Sequence, residues 1–545
     1  MKKFKYSILI LALLAVSITG CQKMDGLQAN PNVNSATSLL PPSLFFNHAA
    51  YSLYQGGGVI DGRPGSVFEG PWDQVMRWNQ YTVSNFAYYR GQNAYIWSNS
   101  ATAYDLIRYA NFMEQKALAL NGTNNNIYGA LGKFLRAYSF VWLTQRVGDI
   151  PASDVGNTTT LTPKYDSQHD VYKRVLAMLD TANTIAATAI KPNTSTNNSS
   201  LLVDGDIYGL TYAQWQKVIN TYKLRVLISL SKRADDNADL SIKQQFAAIV
   251  SNPNTYPIMT ANADNLAFKY VSLNPYPHSP TDGYNIYESI GQVYLKITTD
   301  NKDPRTFVVA TPSPAQLVAP NNKSIGDFSA YVGADINLTQ TQLNTAVTAG
   351  VPTGALSPYS FVSFKRYYSS LTGPEPYIIL GYSEMCFNIA EAANRGWLPG
   401  VSAATWYGNG IDASLAFYGI SNGQSLTIGD IKGNTLGTVT ADVAAFKTAA
   451  AYTGDNAAGL TQILNQKYVS MFQNSGWEAY YNWRRTGIPA LVQGGPGIGT
   501  SNNLIPRRWQ YPTDEKVYNT ANVNAAIQSQ YGGTDDLYKD MWLTK

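Results

Sequence analysis

Apolar stripes at helical spacing, arriving in neighbouring pairs, constrain this 545-residue chain more than any other feature. Leu131, Leu135, Tyr138 and Trp142 stand at i, i+4, i+7 and i+11, which places them on one face of a 3.6-residue helix. The same pattern predicts helices over 93–120 and 125–147, 168–190 and 211–234, 380–396 and 402–418, and 457–474 and 476–486. Two such helices joined by a short turn bury their stripes against each other, so a mainly α body of helix hairpins is expected. No consensus recurs from pair to pair, so spacing alone does not specify a tetratricopeptide array. Between 252 and 380 the period fades and Pro, Asn, Gly and Tyr dominate, as in YVSLNPYPHSPTDGYNIY. An irregular, loop-rich stretch of that length inside a compact domain is usually functional.

The start of the chain carries a separate instruction. Lys2, Lys3 and Lys5 precede a short apolar run over 6–18 and the small-residue end Ile18-Thr19-Gly20-Cys21. The run falls short of the roughly 20 residues that cross a bilayer, so residues 1–20 read as a secretory signal. Its last element resembles a bacterial lipobox, which would make Cys21 the lipidated first residue of the mature protein. Acyl chains contribute about 0.8 kcal/mol per buried methylene, enough to hold the protein on a membrane facing out of the cytoplasm. Residues 21–42 lack any period and read as a tether, and 43–545 as a single binding domain.

Removing residues 1–20 takes away three lysines and no acid, lowering the formal charge from +4 to +1. No basic surface for nucleic acid is implied. Charged residues form only 14% of the chain, against roughly 25% in typical domains. Asn, Ser, Thr, Gly and Tyr must therefore supply the polar surface, which suits neutral ligands rich in hydroxyl or amide groups. Cys386 has no partner once Cys21 is lipidated, so no disulfide framework exists.

Residues 68–97, FEGPWDQVMRWNQYTVSNFAYYRGQNAYIW, crowd aromatic rings among Asn, Gln, Asp and Arg. Sugars offer flat C–H faces that stack on rings and hydroxyls that need bidentate polar partners, so Trp72, Asp73, Trp78, Asn79, Tyr81, Tyr88 and Arg90 are candidate ligand residues. The same rings could equally plug a helical core. Tyr276 and Tyr284, in the Pro-rich stretch, join the candidates; His278, Tyr287, Tyr359, Tyr367 and Tyr368 rank below them. Arg484, Arg485, Arg507 and Arg508 are expected to pair with Glu478, Asp514 and Glu515 and so lock the C-terminal segment onto the body. Glu384 and Glu391 share a helix face and read as salt-bridged core acids. Catalytic signatures are missing: the three histidines are isolated, and no HExxH helix, CxxC pair, Walker loop or Gly-x-Ser-x-Gly elbow occurs.

Several stretches, in order, are similar to the SusD/RagB family of outer-membrane lipoproteins: GDIPASDV at 148–155, HDVYKRVLAMLDTA at 169–182, DPR at 303–305 and SEMCFNIAEAANRGW at 383–397. QKYVSMFQNSGWEAYYNWRRTGIPAL at 466–491, IPRRWQYPTDEKVYN at 505–519 and GGTDDLYKDMW near the end complete the resemblance. It implies a SusD-like fold of helix pairs resembling tetratricopeptide repeats, with a loop-rich half laid against them. It also implies a non-enzymatic role: a surface-exposed lipoprotein that binds a nutrient, most often a glycan, and delivers it to a SusC-like TonB-dependent transporter. Peptides are the alternative ligand, and a glycan hydrolase is the rival from another class. No cofactor is expected; a bound divalent cation occurs in some members, but no ligand cluster here predicts one.

Overall fold

The computed structural model describes residues 40–55, 74–84, 101–157, 159–190, 205–276, 288–373, 375–498 and 502–545. The elements that position the site are, in chain order, α1 (Pro42–Gln55), α2 (Gln74–Trp78), β1 (Thr82–Ser84), α3 (Ala101–Asn121), α4 (Ile127–Val147), α5 (Gln168–Ala189), α6 (Tyr212–Ser229), α7 (Ile242–Ser251), β2 (Leu266–Phe268) and β3 (Glu288–Ile290). They continue with α8 (Gln292–Asp300), β4 (Tyr377–Leu380), α9 (Tyr382–Asn394), α10 (Ala403–Phe417), β5 (Ser425–Gly429), β6 (Thr435–Thr440), α11 (Ala457–Ser470), α12 (Glu478–Thr486) and α13 (Thr520–Tyr531). Pro42–Lys545 form one compact unit; of Met1–Pro41, the other, only residues 40 and 41 are described. No described helix is long and apolar enough to cross a membrane.

Helices α3 to α7 pack in series, each on the next, and α1 packs on α3. Caps fix where they begin. Asn126 accepts from Tyr128 N and Gly129 N to open α4, Ser167 accepts from Asp170 N to open α5, and Thr211 and Gln214 form a capping box on α6. Leu131 and Leu135 are fully buried, while Tyr138 and Trp142 are half-buried. Trp215 of α6 joins three helices: its ring meets Phe46 of α1 at 5.5 Å and Phe134 of α4 at 5.9 Å.

The GDIP turn ends α4 for two separable reasons. Gly148 holds φ at 92°, and a Cβ built there would lie 2.0 Å from Gln530 Oε1 and 2.7 Å from the Tyr531 hydroxyl. Only glycine meets both demands.

The second half keeps one of its two expected helix pairs as read. α9 packs on α10 and on α11, but α12 lies against α6 instead of closing a hairpin with α11. The intervening turn is the cause: Ile378 N of β4 donates to Asn474 Oδ1 at 2.8 Å, and Ser475 N donates to Ile378 O at 2.6 Å. The described strands form three separate two-stranded antiparallel pairs, β1 with β3, β2 with β4 and β5 with β6. The 252–380 stretch is less irregular than its sequence suggests, since it carries β2, β3, α8 and β4, elements of 3 to 9 residues. Elements that short complete too few turns to leave a period in the sequence.

Candidate functional site

The α2–β1 segment lies inside the molecule. Trp78 is 2% exposed; its indole stacks on Trp509 at 5.3 Å and meets Trp477 edge-on at 5.1 Å. Tyr81, fully buried, stacks on Tyr468 at 4.3 Å and donates its hydroxyl to Tyr468 O at 2.6 Å. Tyr468 returns a hydrogen bond from its own hydroxyl to Asn79 O at 2.7 Å. Between them Gln80, at φ 53°, clasps the backbone of Val492: Nε2 donates to Val492 O at 2.7 Å, and Val492 N donates to Oε1 at 2.9 Å. Burial in this aromatic layer corrects the expectation that Trp78, Asn79 and Tyr81 face a ligand. Tyr276 follows them inside, 3% exposed and edge-on to Tyr270 at 5.0 Å. Tyr367 and Tyr368 are also buried, and Tyr359 half-buried.

Trp72, Asp73, Tyr88, Arg90 and Tyr284 lie outside the described residues, as do Cys21, Trp97, His278 and Tyr287. The described chain nevertheless shows where their segments depart. β1 and β3 pair antiparallel with Thr82 opposite Ile290 and Ser84 opposite Glu288. Residues 85–100 therefore leave, and 277–287 arrive, at the same end of one ladder. Tyr276 N donates to Leu371 O at 2.7 Å and fixes the other end of the 277–287 segment. The buried rings of Trp78 and Tyr81 thus hold the base from which residues 85–100 and 277–287 depart.

The C-terminal arginines act as the expected lock, with different acids. Arg485 forks onto Glu391, Arg507 Nε donates to Asp540 at 2.9 Å and Arg508 Nη2 to Asp535 at 2.6 Å. Arg484 instead caps two backbone carbonyls, Gln145 O at 2.7 Å and Arg507 O at 2.8 Å. Of the acids expected to pair with them, Glu478 lies 3.9 Å from Arg225 of α6, Glu515 accepts from the Tyr165 hydroxyl at 2.7 Å, and Asp514 is exposed. The last turn is keyed in as well: Leu543 N donates to Gln168 Oε1 at 2.9 Å and Lys232 to Thr544 O at 2.7 Å.

Both core acids of α9 are engaged. Glu384 takes Arg225 Nε at 2.7 Å. Burial would raise the Glu391 carboxyl, but Arg485, with Arg395 and Lys467 beyond it, outweighs burial and holds it down at about 2. Burial lowers the Lys467 ammonium to about 8 against the pull of Glu391 and Glu384, and its Nζ donates to Asn388 at 2.6 Å and Asn482 at 2.8 Å. Glu391, so saturated by cations, holds no proton for acid–base work near neutral pH. His169 sits between Asp170 and Asp239, 3.1 Å from each. Among the described residues no group of three or more His, Cys, Asp and Glu side chains could hold a metal ion.

The chain matches the SusD-like family described as "Starch-binding associating with outer membrane" over residues 34–512. A SusD homolog of known structure from Bacteroides fragilis is 27% identical with a TM-score of 0.76, covering 93% of this chain and 100% of that one. A second SusD homolog from the same species is 26% identical with a TM-score of 0.70, covering 93% and 99%. A chitin-binding protein shares the fold at 21% identity and a TM-score of 0.66, covering 92% and 99%. A search of curated protein sequences returns no match.

Proposed function

The chain belongs to the SusD-like family of starch-binding proteins that associate with the outer membrane, and on that premise we propose that it captures an oligosaccharide outside the cell and passes it to a TonB-dependent transporter. Lipid on Cys21 anchors it to the outer membrane with its body facing the medium. The observation that carries the reading is the Ser84–Glu288 ladder end, where 85–100, with three Tyr, three Asn and one Arg, departs and 277–287, with two Tyr and one Asn, arrives. Trp72, Asp73, Tyr88, Arg90 and Tyr284 supply stacking rings and bidentate polar groups for a glycan. The buried rings of Trp78 and Tyr81 hold the base of the ladder in place.

Calorimetric titration of the detergent-solubilised protein against a panel of oligosaccharides and peptides tests the reading, with Trp72→Ala and Tyr284→Ala in parallel. One glycan class should bind and weaken at least tenfold in the variants. Silence across all sugars, with or without peptide binding, would sink it. Copurification with a large outer-membrane β-barrel from envelope extracts tests the delivery step, and protease shaving of intact cells tests surface exposure.

A further inference from the structure

A groove of about 750 Å³ opens between α8, the 331–333 turn and the 489–492 segment. It lies beyond the opposite end of the β1–β3 ladder from the one that launches 85–100 and 277–287: Gly291 N donates to Tyr81 O, and α8 starts at the next residue. Its volume falls within the range of small-molecule pockets, roughly 300–1,000 Å³. Val293, Val332, Pro489 and Val492 give it aliphatic walls.

The polar groups of the groove include several acceptors. Thr299 donates its hydroxyl to Leu295 O at 2.7 Å, and Asn301 donates its amide to Ile297 O at 2.7 Å, which leaves the oxygens of both side chains able to accept. Lys296, the main cationic donor, is held by Asp300 at 2.7 Å. Asn465 lines the groove, and its side-chain oxygen is buried with no hydrogen-bond partner. An orphaned carbonyl of this kind costs free energy that a ligand N–H would offset once the carboxamide turns towards the groove. A fitting ligand therefore brings several hydroxyl donors, one amide N–H and a small apolar group beside that amide.

We propose that this groove is a second saccharide subsite selective for N-acetylated sugars. The acetamido methyl packs against the valine and proline wall, its N–H bonds Asn465, and ring hydroxyls donate to Asp300, Thr299 and Asn301. A peptide offers the same amide and apolar group, but an aliphatic one brings no run of hydroxyls for Asp300, Thr299 and Asn301 to accept. The proposal rests on the reading that the protein captures glycans.

The test titrates the detergent-solubilised full chain with N-acetylglucosamine oligomers and with glucose oligomers of equal length. Two variants accompany it: Ala490→Trp, which fills the groove from an exposed position, and Asn465→Ala, which removes the acceptor. Unchanged thermal midpoints confirm that both fold. The N-acetylated series should bind at least tenfold more tightly than the glucose series, and both variants should erase most of that preference. Equal affinity for the two series, unaltered N-acetylated binding in Ala490→Trp, or competition at the groove by short aliphatic peptides would each overturn the subsite while leaving glycan capture standing. Failure of every sugar to bind would overturn the broader reading first.

Discussion

The indole of Trp78 stacks on that of Trp509 with ring centres 5.3 Å apart and planes inclined by 29°, so a short helix near the start of the body is closed by a residue near its end. Trp78→Ala should destabilise the protein by about 3–5 kcal/mol, the usual cost of emptying a large aromatic site in a core. Urea unfolding measures it. A variant of wild-type stability that lost sugar affinity would return Trp78 to the ligand surface.

Glu391 should make stability depend on acid pH. Its carboxyl stands at about 2 in the fold against an ordinary 4.5, so the stabilisation is complete above pH 4.5 and is lost as pH falls through 2. Glu391→Gln should cost about 3–5 kcal/mol at pH 7, since it leaves Arg485 buried beside a neutral group. The gap between wild type and variant should shrink between pH 4.5 and 2. A gap that stays constant with pH would show that packing rather than charge sets it.

Asp149, in the GDIP turn, has the opposite sign. Burial pushes its carboxyl from 3.8 up to about 6, despite a hydrogen bond from Gln168 N. The folded state therefore holds a proton that the unfolded chain releases, and stability falls as pH rises from about 4 to 6. Asp149→Asn should raise the thermal midpoint at pH 7.5, by up to roughly 3 kcal/mol of stability, and leave it unchanged near pH 3.5. Equal midpoints at both pH values would mean that the ionised carboxylate is adequately solvated.

Gly148→Ala should cost on the order of 2–4 kcal/mol, because a side chain there is strained in its backbone and collides with Gln530. Differential scanning calorimetry reads the loss. Trimming Gln530→Ala in the same chain should recover only its share of the clash, because the Tyr531 hydroxyl and the positive φ remain.

The sequence made the long helices legible and hid what closes around them. α4, α5, α6, α9 and α10 each carry a stripe several turns long, and all lie within the spans expected of them. The burial of Trp78 and Tyr81 was hidden, since Trp477, Trp509 and Tyr468 bury them from about 400 positions away. Ring-rich segments read alike whether the rings meet sugar or each other. The arginine lock was visible as a cluster of charge, but its acids, Glu391, Asp535 and Asp540, could not be picked from the 36 acids of the chain. The β1–β3 ladder, three residues to a strand, left no alternating pattern to find.

Gln80 and Val492 are 412 positions apart, and their double hydrogen bond sets an order on the folding of the whole chain. Helix hairpins such as α4–α5 can form from neighbours as soon as they exist, because their loops close over short spans. The clasp cannot close until residue 492 has been made and brought back across nearly the full length of the chain. Loop-closure entropy makes such a contact one of the last to become favourable. The base from which 85–100 and 277–287 depart is therefore assembled late, and a partly folded intermediate with every helix hairpin in place would still lack it.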